Sequence, residues 1–224
     1  MLAPRSRSSR LTWRYGPPLI LGELLAILAF LIIINGLQLP HTIVPLVVWS
    51  IISLWLQGRG RRDIGVFVSP VWQLMGIVGV ALGISLALTF HLVAPSVARV
   101  AGLAVPVDPD LLILTGPFGV PGALVMIWLL LALGEEFVFR GYLVTRLADL
   151  FGRRGAGTVI CVLASALVFA IAQGSSDAAA MAGTFALGIA CGVLYFVAGR
   201  NLLLPVLFRG AFQTTLLFLA WAAL

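Results

Sequence analysis

Charge is what this chain has least of. Only 10% of its 224 residues are Asp, Glu, Lys or Arg, while 61% are hydrophobic and the mean hydropathy is +1.13. That composition excludes a globular domain with a single anchor and implies a polytopic membrane protein. Lysine is absent altogether, since all 14 basic residues are arginine, set against 8 acidic ones for a net charge of +6. A basic balance can suit a nucleic acid, but here the arginines fall between apolar runs. Topology accounts for them, and no nucleic-acid partner is expected. There are two cysteines, Cys161 and Cys191, both in apolar runs with small neighbours. They exclude a disulfide framework and paired zinc spacing, and read as small core residues. Histidine is equally scarce: His41 lies in a turn and His91 near the end of an apolar run, where a lone imidazole is more often interfacial than catalytic. No metal or cofactor is expected.

What is abundant is long apolar sequence. Residues 1–16 form a basic tail with Trp13 and Tyr15 placed for the membrane interface. The apolar run that follows is too long for a signal peptide and lacks a small-residue cleavage site, so it reads as a retained first span. Spans are expected at 18–37, 43–56, 71–93, 121–150, 158–173, 179–198 and 202–224. Residues 94–120, with Pro95, Pro106, Pro109, Pro117, Asp108 and Asp110, form either a loop or a re-entrant piece that would make an eighth span. The fold class is therefore all-α, a polytopic bundle of about seven membrane helices. Gly79 with Gly83, and Gly188 with Gly192, are small-xxx-small pairs that let another helix come close. Glu23 and Asn35, near the ends of the first span, can snorkel or hydrate there. On this assignment one side holds Arg146 and most other arginines and the opposite side only Arg99. That places the N-terminus in the cytoplasm, with Arg140 and Arg209 left inside the bilayer.

The exception to the apolar rule is LALGEEFVFRGYLVTR, residues 131–146. A carboxylate at bilayer depth costs about 2.5–3.5 kcal/mol on insertion scales, so such a residue faces protein or a wet cavity and is a functional hypothesis by default. At α-helical spacing Glu136 and Arg140 share a face and can pair. Glu135 is rotated about 100° away, onto the face of Phe139 and Tyr142, and is then the acid without a partner. A pair of this kind is as often a structural staple as a site, but one arginine does not neutralise two adjacent carboxylates. Helices four and five form a hairpin around residues 152–155. Glu135 before it and Gln173 after it lie at similar depths, each about 25 Å from the turn. Arg209 and Gln213, four apart, share one face of the last helix.

In order and spacing these blocks resemble the CAAX protease and bacteriocin-processing family of intramembrane peptidases, also called the Abi family. Its first motif, EExxxR, is Glu135, Glu136 and Arg140. Its second, FxxxH, is Phe169 followed by Gln173, and its third, HxxxN or HxxxD, is Arg209 followed by Gln213. Both motif histidines are thus replaced. The resemblance divides the chain into the tail 1–16, an N-terminal membrane region 17–120 and the family core 121–224. It implies a cell-membrane endopeptidase acting on prenylated or membrane-bound peptides, with some members metal-dependent. By matching position Glu135 would be the general base, Gln173 its companion at the water, Arg209 and Gln213 the oxyanion donors, and Glu136 with Arg140 a scaffold pair.

The substitutions bear on that activity. Glutamine can orient a water but has no proton to exchange near neutral pH, and arginine offers donors only. Arg209 either faces a developing oxyanion or neutralises Glu135. The matching functional readings are a glutamate-dependent peptidase and an inactive relative that binds a peptide, lipid or protein partner. A transporter is the weaker reading, since no Gly/Pro-broken spans recur in matching halves.

Overall fold

The structure, a computed structural model, describes residues 16–37, 43–101, 119–174 and 177–222. The basic tail with Trp13 and Tyr15, the turn at Pro40 and His41, and residues 102–118 with Asp108 and Asp110 lie outside the described residues. Among the described residues there is no strand, and seven helices follow one another: α1 (Pro17–Gly36), α2 (Ile43–Leu56), α3 (Trp72–Ala101), α4 (Gly119–Phe151), α5 (Ala156–Ala172), α6 (Ala178–Val197) and α7 (Leu203–Ala222). Five are long and apolar enough to cross a membrane, whereas α2 and α5 are shorter. Ile33, Trp55, Ile77, Leu92 and Val197 are each more than half exposed. An apolar outer surface of this kind fits hydrocarbon as its solvent, and the protein is a multi-pass membrane protein. One expectation is corrected here: Pro95 does not end the third helix, which runs on to Ala101. In membrane helices neighbouring groups re-satisfy the carbonyl that proline frees.

The chain divides into two compact units, Met1–Gly65 with Val138–Ile189, and Val66–Phe137 with Ala190–Leu224. In the first, α1 and α5 pack against the C-terminal end of α4. Gly152, at φ 88°, is what turns the chain out of α4, a conformation an L side chain would resist. Asp177 caps α6 by accepting from Ala180 N–H at 3.0 Å. Gly188 meets α5 so closely that a Cβ there would stand 2.9 Å from the Cβ of Ala166.

In the second unit α3 lies along α7. A Cβ on Gly79 would stand 3.0 Å from Leu204 O, and one on Gly83 would stand 2.9 Å from Ala211 Cβ. Both glycines of the predicted small-residue pair are therefore used for backbone approach. Later residues of α3 meet later residues of α7, so the two helices run parallel, with their N-termini at one end. Asn201 fixes that end. Its Nδ2 donates to Phe67 O at 2.8 Å and its Oδ1 accepts from Leu203 N–H at 2.8 Å, capping α7.

Candidate functional site

Glu135 and Glu136 sit between two stretches of α4, Ile127–Gly134 and Phe137–Leu143, that are wound as π-helix. The Glu135 N–H reaches back five residues to Leu130 O as well as to Ala132 O. The face assignment made from sequence took 3.6 residues per turn on both sides of the glutamates. A π turn carries more residues, so the faces drift relative to α-helical spacing, and such turns concentrate at functional sites.

Glu135 is 5% exposed and Arg209, on α7, is 3% exposed. Arg209 Nη2 donates to Glu135 Oε2 at 2.6 Å, so the acid expected to lack a counter-ion has one. Helix approach brings this about. Gly210 follows the arginine, and a Cβ on it would stand 2.6–2.7 Å from three ring carbons of Trp128 on α4. Glycine thus lets α7 slide under the indole. Around this point Ala123, Ile127 and Leu217 form a buried apolar cluster flanked by Trp128 and Leu131. Glu136, wholly buried, and Cys191 also lie within electrostatic range of Arg209. Gln213 is half-buried one turn further along α7.

The remaining motif residues belong to the first unit. Arg140 is wholly buried, donates from Nη2 to Gly188 O at 2.8 Å and stands 4.9 Å over the ring of Phe169. Phe169 in turn meets Phe139 edge to face at 5.1 Å, while Ser165 Oγ donates to Phe139 O at 2.8 Å. The second-motif phenylalanine is therefore a platform for the first-motif arginine, a cation–π contact reinforced by an aromatic pair. Gln173 is exposed at the C-terminal end of α5. Glu135 and Arg209 meet, as do Arg140 and Phe169.

Sequence reasoning missed a second polar cluster in the first unit. Glu23 accepts from Ser53 Oγ, from Tyr142 OH at 2.5 Å and from Arg146 Nε at 2.9 Å and Nη2. Gln57 closes the ring, accepting from Arg146 Nη1 at 2.8 Å and donating to Ser53 Oγ at 2.6 Å. Beside it Arg59 pairs with Asp149 at 2.5 Å. Two expectations are corrected. Arg146 is 1% exposed and joins Arg140 and Arg209 as a buried arginine, and Glu23 is held by an ion pair in place of snorkelling. The signal available in sequence was spacing, because Ser53 with Gln57, and Tyr142 with Arg146, are each four apart.

Residues 117–220 match the family model described as type II CAAX prenyl endopeptidase, Rce1-like. This stretch of the chain is similar to that family. The match takes in a little under half of the chain and spans every motif block from Glu135 to Gln213. No curated protein and no solved structure matches the chain. The protein is thus a membrane CAAX-protease-like protein. A metal does not fit the residues present, because Arg209 stands against Glu135 as a cation with donors only. Among the described residues no group of three or more His, Cys, Asp or Glu side chains is placed to hold one.

Proposed function

We propose that this CAAX-protease-like protein binds a lipidated or membrane-bound peptide without hydrolysing it, its water-activating acid having become half of a structural ion pair. The buried Glu135–Arg209 contact at 2.6 Å carries this reading. A general base needs a free lone pair aimed at water and must accept a proton during reaction. Glu135 would have to become neutral beside a guanidinium that never deprotonates, leaving that buried charge without its counter-ion, in a site with little exposure to water. Gln173, at the histidine position, offers no proton exchange to help it. The arginine distribution supports a cell-membrane location with the N-terminus in the cytoplasm.

The retained Glu135, Glu136 and Arg140 favour a second reading, an endopeptidase in which Glu135 activates water while Arg209 and Gln213 face the oxyanion. A well-placed donor there is worth about 10²-fold or more in rate. The experiment is turnover of a prenylated peptide by the purified protein in detergent. The binding reading expects no turnover in the wild type, none in Glu135→Gln, and a gain when Gln173→His, Arg209→His and Gln213→Asn are combined. Wild-type turnover that disappears in Glu135→Gln would overturn it in favour of the peptidase.

A further inference from the structure

The second unit carries a feature that none of this uses. An open groove of about 660 Å³ runs between the first turns of α3 and α7, lined by Trp72, Gln73, Gly76, Ile77, Leu203 and Leu207. Its volume is that of a small-molecule site, and five of its six lining residues are apolar or glycine. Parallel packing sets the turn of residues 199–201 at the same end as the mouth of this groove. Arg200 sits in that turn at φ 66°, the one non-glycine residue at positive φ among those described. Its side chain is half-buried, and its Nε and Nη2 are covered by protein with no acceptor. Among the described residues no carboxylate pairs with it. The N-terminal ends of α3 and α7 add positive potential at the same place.

An arginine left uncompensated where an apolar groove opens has Nη1, which is not covered in this way, to offer an anion from outside the fold, and the anion abundant at a membrane surface is lipid phosphate. We propose that this face holds one anionic phospholipid, an acyl chain along Trp72, Gly76 and Leu207 and the phosphate at Arg200. Basic residues between membrane helices at the interface recognise such headgroups, each worth about fivefold in binding. Trp72, half exposed at the start of α3, is placed to cover the glycerol region.

The test is native mass spectrometry of the full chain in detergent with equal amounts of phosphatidylglycerol and phosphatidylcholine of identical chains. The wild type is expected to retain phosphatidylglycerol over phosphatidylcholine by about fivefold. Arg200→Gly, which also relieves the positive φ, is expected to abolish the preference while leaving phosphatidylcholine retention unchanged. Arg200→Asn, also tolerant of that backbone, serves if the glycine variant misfolds. Gly76→Leu fills the groove and is expected to lower retention of both lipids. Equal retention of the two lipids by the wild type, a preference that survives both Arg200 variants, or retention unmoved by Gly76→Leu would each overturn the proposal. So would loss of the preference on adding millimolar inorganic phosphate, which would make Arg200 a site for any phosphate.

Discussion

Breaking the Glu135–Arg209 pair from either side has consequences of different size, and the difference is a sharp test of the site as described. The contact is 2.6 Å between side chains that are almost wholly buried. With charge centres about 4 Å apart and an effective dielectric near 20, the attraction is about 4 kcal/mol. Removing one partner of a buried pair costs about 3–5 kcal/mol, mostly because the other charge is left uncompensated. The two removals are unequal here, because Glu136 lies within electrostatic range of Arg209. Glu135→Gln leaves Arg209 with Glu136 nearby, whereas Arg209→Met leaves two adjacent carboxylates without it. Arg209→Met is therefore expected to sit at the top of that range and Glu135→Gln at the bottom. For a chain of this size about 4 kcal/mol corresponds to a fall of about 8–16 °C in Tm. The double variant carries neither charge and is expected to lose about 5 kcal/mol, no more than Arg209→Met alone, giving a coupling of about 3 kcal/mol. The assay is reversible unfolding in mixed micelles on all four proteins, with thermal melts as a check. Single losses that add in the double variant to within about 0.5 kcal/mol would refute the pair.

Other substitutions probe how the elements are brought together. Gly210→Ala drives a methyl into the Trp128 ring and is expected to cost about 1–3 kcal/mol, with partial recovery on adding Trp128→Leu; a neutral Gly210→Ala in the same melts would contradict the close approach. Phe169→Ala removes both the aromatic pair and the surface under Arg140, an expected loss of about 3–5 kcal/mol that Phe169→Leu should reduce by refilling the volume. Tyr142→Phe deletes one hydrogen bond to the Glu23 carboxylate, an expected loss of about 1.5–3 kcal/mol in chemical unfolding. The same change in a Glu23→Gln background should cost about half as much, and an equal cost in both would show that the charge on Glu23 is not what the tyrosine serves.

Helix number and most helix ends were legible in the chain because both rest on local chemistry. An apolar run needs a membrane's width, and Pro17, Gly152 and the turn at 199–201 start or stop helices whatever packs around them. Span two was read as 43–56, where the structure has it, since it is bounded by polar residues. The small-residue pair at Gly79 and Gly83 was also legible as an approach site, though not its partner helix. The motif blocks were legible by order and spacing alone.

The arginines were not. Arg146 looked like a topology residue and Arg209 like either an oxyanion donor or a counter-ion, because a guanidinium's role depends on which acid reaches it across the fold. Glu23 lies 123 residues from Arg146 and Glu135 lies 74 from Arg209, separations at which no periodicity carries information. The π winding around Glu135 was also hidden, since the apolar run there reads as α-helix and nothing in its spacing marks an extra residue per turn. Composition alone determined that this is a helical membrane protein, and the resemblance of its motif blocks to a known family supplied the CAAX-protease-like core. Tertiary structure decided which charges neutralise one another, because in a low-dielectric interior every buried charge takes the nearest opposite one the packing allows.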